Sequence, residues 1–430
     1  MQIYLIALSG AAMMIACMGI GRFAYTPLLP QMQAELGWTL SQAGDVASAN
    51  YLGYLIGALV AGPLSQSRVR SYTLMVGLLG SAFTTLWGAI LSGASFPEIA
   101  LVGNAAVNLQ GTLSPEHLLW SWMALRFFSG LFSAICVVVG TPIIMDRLTQ
   151  LGLAKNRLLN TSHFGAVGIG IILSVAIITL IPPSPQSTLP TLARHWALLG
   201  VTSCFLMMLP LYFLVGPAKQ LDRAPQPTSA HISSSTPVSK SKFRMPPALR
   251  RLIIAYGLMG FGYVITATFI VAMARQLDTP GLEPWTWVAV GLAGTPSIVL
   301  WQKVALRYGM MPALRWAYVL LIVGVLCAGL AKSIPFVIIG AVLLGGTFMA
   351  ITSMGMQVAR DLTGAHSGLA MGWMTAAFSL GQLLGPAVSG RMAQSAGDFR
   401  WPSLLAAALL MISVWLSQAE KHEASLKRDG

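Results

Sequence analysis

Long uncharged apolar runs alternate with short polar loops along the chain. Charge-free runs cover residues 1–21, 46–67, 71–97, 127–145, 252–274, 333–359, 362–390 and 401–419, with others between them. A helix needs about 20 mostly apolar residues to cross the hydrocarbon core of a bilayer. Only helices and closed barrels satisfy their backbone polar groups there. The pattern therefore predicts an all-α membrane protein with many spans.

Twelve helical spans are predicted from these runs. They lie near residues 3–29, 42–64, 71–93, 118–145, 158–181, 196–215, 249–274, 285–305, 312–331, 334–358, 367–393 and 401–418. The stretch 98–117, between the third and fourth spans, carries Asn104, Asn108 and Gln110 and is too polar to cross the membrane. It predicts a long outer loop.

The segment 216–247 differs from the rest in composition, since Pro, Ser and Thr dominate it with scattered Lys and Arg. Such a stretch cannot bury enough apolar surface to fold alone. It predicts a cytoplasmic linker between a six-helix bundle over residues 1–215 and a second one over residues 248–430. Its basic residues could contact anionic lipid headgroups.

The two predicted bundles share local features. Gly19-Ile-Gly21 on span 1 matches Gly260-Phe-Gly262 on span 7, which sets Arg22 opposite Tyr263. Together with weaker matches, this pair indicates a duplicated six-helix unit with pseudo-twofold symmetry. Internal repeats of this kind are typical of secondary transporters.

Basic residues gather in every second loop. With the N-terminus in the cytoplasm, 19 of the 26 Lys and Arg residues fall on the inner side and five on the outer side. This is the asymmetry of the positive-inside rule, and it predicts that both termini are cytoplasmic. It also accounts for the net charge of +13 without nucleic acid, which we do not expect as a partner.

The composition is that of a membrane protein, and the sequence carries no signal of an enzyme. Only 9% of residues are charged, compared with about 25% in soluble domains. The four cysteines lie inside predicted spans without a CxxC spacing and are interpreted as packing residues. Walker loops, metal-spaced His/Cys clusters and nucleophile elbows are missing from the sequence. We therefore expect no cofactor and no metal, and transport driven by a gradient rather than by ATP.

Several motifs resemble one family. Arg126-Phe-Phe-Ser-Gly130 on span 4 is similar to the span-four Arg-x-x-x-Gly motif of the major facilitator superfamily. Gly381-x-x-x-Gly385-Pro386 on span 11 is similar to its glycine–proline motif. The loop 62–70 has the outline of its signature between spans two and three. The run from Gly19 to Pro30 resembles the YbfB-like bacterial branch of that superfamily.

This resemblance implies the major facilitator fold, in which two bundles expose a central site to each side of the membrane in turn. It implies a small-molecule solute as partner, a monomer, and a location in the bacterial inner membrane.

Arg22 is the first candidate site residue. By helical rise it lies about 10 Å from the outer end of predicted span 1. A buried arginine in lipid costs about 2.5 kcal/mol or more, so the side chain should face a cavity or a partner. Tyr25 shares its helical face. Two roles for Arg22 are left open. It contacts a solute or ion, or it is structural, either in an ion pair or with its charged end reaching the membrane interface.

Arg126 is the second candidate, about 12 Å below the outer end of span 4. The resemblance implies a cavity-facing arginine that influences coupling; the alternative is a structural bond to backbone carbonyls. Asn50 lies on a small-residue face of span 2 and is a candidate ligand. Tyr263 is a candidate pocket residue or an interfacial aromatic. Gln382 flanks the glycine–proline bend of span 11, where packing and gating outweigh direct binding.

Two titratable residues could carry a proton. Asp45 is predicted at a depth similar to that of the arginines, as a proton carrier whose pKa moves with a nearby arginine, or as a carboxylate at a helix N-terminus. His163 on span 5 could switch charge near neutral pH or form an interhelical hydrogen bond.

Two intramembrane arginines with one nearby aspartate predict a positive cavity. Such a cavity favours an anionic or carboxylate-bearing solute, held by charge-assisted hydrogen bonds. The alternative is a broad-specificity efflux antiporter for drugs or metabolites, which flexible methionines would suit. A non-transporting membrane receptor is a further alternative.

Overall fold

The computed structural model describes residues 2–65, 67–93, 113–150, 157–181, 190–216, 245–279 and 281–418. Within these ranges the chain folds into twelve long helices, which we number α1 to α12. The first is built from Gln2–Met14, a π-helical segment Ile15–Ile20, and Tyr25–Leu36. The others are α2 Leu40–Leu64, α3 Arg70–Leu91, α4 Pro115–Gln150, α5 Arg157–Leu180, α6 Thr191–Pro210 with the π-helical Leu211–Val215, α7 Pro247–Arg275, α8 Leu282–Tyr308, α9 Met310–Gly329, α10 Ile334–Thr363, α11 Ser367–Ala396 and α12 Arg400–Gln418.

Eleven helices of the described part are long and apolar enough to cross a membrane. The more polar α11 has 30 residues and packs against α2 and α7, while Leu380 and Leu384 on its other side are exposed. The prediction of twelve spans is therefore confirmed. The predicted end of span 1 is wrong, because α1 continues to Leu36. Most of the predicted outer loop and the linker lies outside the described residues, although 115–117 already belong to α4.

The two halves, α1–α6 and α7–α12, meet through equivalent helix pairs. In one pair α2 of the first half packs on α11 of the second, and in the other α8 packs on α5. Glycines allow both close approaches: a Cβ at Gly44 would lie 2.3 Å from the carbonyl oxygen of Pro386, and one at Gly168 would lie 2.5 Å from that of Gly291. Small residues at such crossings let backbones touch. The contacts have the predicted pseudo-twofold arrangement.

We name the two ends of the molecule after residues that lie there. The Leu36 face is where α1 ends and α2 begins, and the Arg70 face is where α2 ends and α3 begins. Several hydrogen bonds between described residues join the two halves, and those named here lie between the middle of the molecule and the Leu36 face. The residue pairs are Arg22–Gln382, Thr26–Ala267, Pro30–Arg275, Ser41–Gln394, Asp45–Arg391 and Ser48–Ala387. The halves are thus joined at the Leu36 face.

Candidate functional site

Helix α1 is interrupted near the middle of the molecule. The π-helical segment Ile15–Ile20 is followed by a turn over residues 21–24, and α-helical geometry resumes at Tyr25. The N–H groups of Gly21 and Phe23 donate five residues back, to the carbonyls of Ala16 and Met18, at 2.8 and 3.0 Å. Such π-bulges occur often at functional sites. Here the interruption turns the carbonyls of residues 21 and 22 toward α4.

Arg126 of α4 binds this interruption. Its Nη1 donates to the carbonyl of Gly21 at 2.8 Å and its Nη2 to that of Arg22 at 2.9 Å. Ser129, one turn along α4, also donates to the carbonyl of Gly21, at 3.0 Å. The Arg126 guanidinium lies 4.9 Å from the centre of the Tyr25 ring, and only 3% of the residue is exposed. Of the two predicted alternatives for Arg126, the geometry is that of the bond to backbone carbonyls.

Arg22 lies in the turn itself and is 5% exposed. Its Nη2 donates to Oε1 of Gln382 on α11 at 3.2 Å. Its guanidinium carbon lies 4.2 Å from the ring centre of Tyr54 and 4.7 Å from that of Tyr51, both on α2. These are cation–π distances. The buried Nε of Arg22 has no hydrogen-bond partner.

The two guanidiniums share one electrostatic feature. Among the described residues, no carboxylate lies within 4.0 Å of either Arg22 or Arg126, although four other ion pairs of that kind occur. The charged guanidinium of Arg126 donates to two backbone carbonyls, whose oxygens carry partial negative charge. Arg22 has one neutral amide and aromatic faces, so its charge is the less compensated of the two.

The second half of the molecule contributes Gln382 and Tyr263. The Nε2 of Gln382 donates to the hydroxyl of Tyr263. The Tyr263 ring is stacked between Phe348 and Phe378, with ring centres 5.5 and 5.7 Å away and interplanar angles of 8° and 7°. Arg22 and Tyr263, opposite each other in the predicted repeat, thus lie on the two sides of one glutamine.

Asn50 and Tyr25 support this arrangement from within the first half. The Nδ2 of Asn50 donates to the backbone carbonyl of Arg126 at 2.9 Å, and its buried Oδ1 has no partner. The hydroxyl of Tyr25 donates to the carbonyl of Ala43 at 2.7 Å. Both residues are buried between helices, next to the guanidinium of Arg126 or its backbone.

Asp45 and His163 lie apart from this group. Arg391 of α11 donates to both carboxylate oxygens of Asp45, at 2.7 and 3.0 Å, at the Leu36 face. Because Tyr25–Leu36 separates Arg22 from that face, Arg22 lies about 18 Å deep by helical rise, not at the depth of Asp45 as predicted. His163 is 3% exposed, neither ring nitrogen has a partner, and it packs near Gly10, far from Arg22 along α1.

Four aromatic residues that the sequence did not predict complete the site. Tyr51 and Tyr54 supply the aromatic faces next to Arg22, and Phe348 and Phe378 enclose Tyr263. A signal existed only on α2, where two tyrosines three residues apart share a face near an intramembrane cation. The two phenylalanines lie on different helices and carry no local pattern.

Two pseudo-symmetric six-helix halves with a buried polar cluster between them form the architecture of the major facilitator fold. The chain matches the xylose transporter XylE from E. coli with a TM-score of 0.67 at 12% identity, over 97% of this chain and 99% of that one. It matches the nucleoside transporter NupG with a TM-score of 0.63 at 14% identity, over 97% of both chains. At these identities the likeness concerns the fold.

The particular family follows from the sequence. The chain belongs to the family described as the uncharacterised MFS-type transporter YbfB, whose model matches residues 13–103 and 103–418. The chain is therefore a multi-pass membrane protein of the major facilitator superfamily, as the motifs around Arg22 and Arg126 predict.

Two curated fungal proteins match part of the chain. The efflux pump DEP3 of Fusarium langsethiae is 29% identical over 174 residues, which are 35% of this chain and 29% of that protein. The azole resistance protein 1 of Saccharomyces cerevisiae is 22% identical over 160 residues, 37% of this chain and 26% of that protein. The match thus spans less than a third of the length of either relative.

Proposed function

We propose that this protein is a secondary transporter that moves a small organic anion across the membrane by alternating access, with Arg22 as the residue that binds the anion. The observation that carries the proposal is the Arg22 guanidinium, buried at the interface of the two halves without a carboxylate beside it. Burial of an unpaired charge is unfavourable. A carboxylate-bearing solute would supply the missing counter-charge through charge-assisted hydrogen bonds.

The position of Arg22 suits a solute that controls which side is open. Arg22 belongs to the first half, and its partner Gln382 belongs to the second. A ligand bound between them contacts both halves, so its affinity differs between arrangements of the halves, which is the requirement for coupling binding to a conformational change. Opening the Leu36 face requires the Asp45–Arg391 pair between the halves to break.

The remaining assignments extend the proposal. The bundles comprise residues 1–215 and 248–430, joined by the linker 216–247. Both termini lie in the cytoplasm of a bacterium, the Leu36 face is the outer one, and the protein acts as a monomer in the inner membrane. The distribution of Lys and Arg supports this orientation. A proton is the proposed coupling ion.

Efflux of drugs or metabolites is the second candidate function. The names of the two fungal relatives favour it over the length that they match. The stack of Phe378, Tyr263 and Phe348 beside Gln382 also offers flat apolar surface to an amphipathic compound. Stacking on aromatic rings does not require a charge on the ligand.

A thermal-stability screen tests the proposal and separates it from efflux. Purified protein is heated with carboxylic acids, sugars, nucleosides and azole compounds. A compound at 100 times its dissociation constant raises the free energy of unfolding by about 2.7 kcal/mol if it binds only the folded state. We expect a carboxylic acid to stabilise the wild type and the control Arg400→Gln, whose site is exposed, but not Arg22→Gln.

Two outcomes would contradict the anion proposal. In the first, every stabilising acid protects Arg22→Gln as well as the wild type. In the second, neutral azoles stabilise both proteins equally while no acid does, which favours the efflux candidate. Counterflow of a labelled hit into proteoliposomes then shows whether the bound compound is also transported; its absence for every hit would favour a receptor.

A further inference from the structure

A chain of hydrogen bonds at the Leu36 face joins the end of α1 to α6. The Nδ1 of His195 on α6 lies 2.9 Å from Oε1 of Gln31, and Nε2 of Gln31 donates to Oε1 of Glu35 at 2.7 Å. The other ring nitrogen of His195, Nε2, lies 2.9 Å from the carbonyl oxygen of Ile181. His195 is 3% exposed, whereas Glu35 is exposed. This series of hydrogen bonds therefore runs from the exposed Glu35 at the surface to the buried His195.

The groups in this chain determine how many protons it holds. A backbone carbonyl can only accept, so Nε2 of His195 carries a hydrogen. The amide of Gln31 has one accepting and one donating end. When its donor faces an ionised Glu35, its oxygen faces Nδ1 of His195, and the ring must be a doubly protonated imidazolium. When the amide is reversed, its oxygen faces Glu35, and that carboxyl must carry the proton.

Both orientations therefore need one proton more than a neutral imidazole beside a carboxylate. Without that proton, one end of the Gln31 amide faces a second acceptor: in the observed orientation the buried link to His195 is lost, and in the reversed orientation the exposed link to Glu35 is lost. We infer that His195, Gln31 and Glu35 form a proton-binding site that opens to the Leu36 face. With the Gln31 amide in this orientation, the inferred proton lies on the His195 ring, where its hydrogen bonds must offset the cost of burying the charge.

The charged surroundings of the site are simple. Besides Glu35, the charge that acts on the His195 ring among the described residues is that of Arg194, its neighbour on α6. From α3 and α4, Gly88 and Trp122 face this end of α6 through the ring of Trp196, and neither is charged. The N–H of Leu192 donates to the second oxygen of Glu35 at 3.3 Å, so the carboxylate is held at both oxygens.

The proton site holds residues 25–36, the part of α1 that follows Arg22. Residues 25–36 of α1 also reach the second half of the molecule. There the hydroxyl of Thr26 donates to the carbonyl of Ala267 at 3.0 Å, and Arg275 donates to the carbonyl of Pro30 at 3.2 Å. A proton at His195 thus ties to α6 the same segment that joins the halves. Its role as the coupling proton rests on the proposed transport function; the proton site itself does not.

Substitution of Glu35 by glutamine separates the proton from the fold. In Glu35→Gln the new amide can donate to the oxygen of Gln31, whose reversed amide then donates to a neutral His195, so the chain stays closed without the proton. A matched control is Glu116→Gln, which makes the same change on an exposed residue at the start of α4.

Nitrogen NMR of the full-length protein with ¹⁵N-labelled histidine, in lipid bilayers, measures this directly. The variant His195→Asn identifies the ring signal. We expect hydrogen on both ring nitrogens in the wild type and in Glu116→Gln, and a titration midpoint lower by at least about one pH unit in Glu35→Gln, a tenfold loss of proton affinity. ¹³C labelling of the glutamate carboxyl groups follows Glu35. An ionised Glu35 beside a neutral His195 at pH 6 would overturn the inference, as would equal midpoints in all three proteins.

Hydrogen exchange tests the mechanical consequence without any solute. Above the midpoint of His195, amides of residues 25–36 should exchange faster relative to those of residues 266–275, since the Gln31 amide then loses one of the two hydrogen bonds that hold the end of α1. In Glu35→Gln this ratio should not change with pH. A ratio that is constant in the wild type, or that changes equally in both proteins, would show that the proton does not fix this helix, whatever the transported solute.

Discussion

Helices α1 and α7 occupy equivalent places in the two halves, but they meet the site differently. α7 is one continuous α-helix over Pro247–Arg275 and places Tyr263 at the site. α1 leaves α-helical geometry at Ile15–Ile20 and resumes it at Tyr25, with Arg22 in the turn between. One half therefore contributes a charge on an interrupted backbone, and the other a neutral ring on a regular helix.

The helices behind them explain the difference. A Cβ at Gly130 of α4 would lie 1.9 Å from the carbonyl oxygen of Asn50, and one at Gly345 of α10 would lie 2.1 Å from that of Val290. Aligning these glycines sets Arg126 against Ala341, which is buried and has no polar side-chain group. The interruption of α1 frees carbonyls, and the guanidinium of Arg126 binds them. The charge and the interruption occur together because each satisfies the other's polar groups.

The largest expected effect on stability distinguishes Arg126 on α4 from Ala341, its equivalent on α10. Arg126→Leu leaves the carbonyl of Arg22 without its donor and should lower the free energy of unfolding by about 2–3 kcal/mol. Arg126→Lys should recover part of this loss, because an ammonium can reach one carbonyl but cannot span two. The matched change on α10, Ala341→Gly, should cost about 1 kcal/mol. Equilibrium unfolding in detergent measures all three. Equal losses for Arg126→Leu and Ala341→Gly would show that the hydrogen bonds from Arg126 to the α1 carbonyls do not stabilise the fold.

A smaller effect of opposite sign is expected at Arg22. Arg22→Gln removes a buried charge that has no carboxylate beside it, so the ligand-free protein should be as stable as the wild type or more stable by about 1 kcal/mol. The same variant should lose anion binding. If Arg22→Gln instead destabilises the free protein as much as Arg126→Leu does, Arg22 is a structural residue like Arg126.

The smallest effect is expected on the side of α7. Tyr263→Phe keeps the ring between Phe348 and Phe378 but removes the hydroxyl that accepts from Gln382. We expect a loss of about 1 kcal/mol in the free energy of unfolding and a decrease in anion affinity of less than tenfold. Tyr263→Leu, which also removes the stack, should lose more stability. Identical results for the two variants would mean that the hydroxyl, and not the ring, is the part of α7 that matters.

The site shows how far sequence patterns reach. An arginine inside an apolar run is visible because charge in the hydrocarbon region is costly, so Arg22 and Arg126 could be found. Their different partners could not be, because Arg126 binds backbone carbonyls that exist only where α1 is interrupted. The end of α1 was also not predicted: the predicted span stops near residue 29, yet the polar residues Gln31, Gln33 and Glu35 continue the helix. Likewise, Asp45 is 346 residues from Arg391, its partner.

The sequence by itself determined the class of fold and the number of spans. Span number follows from the thickness of the bilayer, and the repeat and the charge asymmetry are local properties of the chain. Only the tertiary structure decided that one arginine fastens an interrupted helix while the other keeps an uncompensated charge, and that His195, Gln31 and Glu35 share hydrogen bonds. These properties depend on which distant groups meet inside the protein, since a buried polar group is defined by its partners and not by its neighbours in the chain.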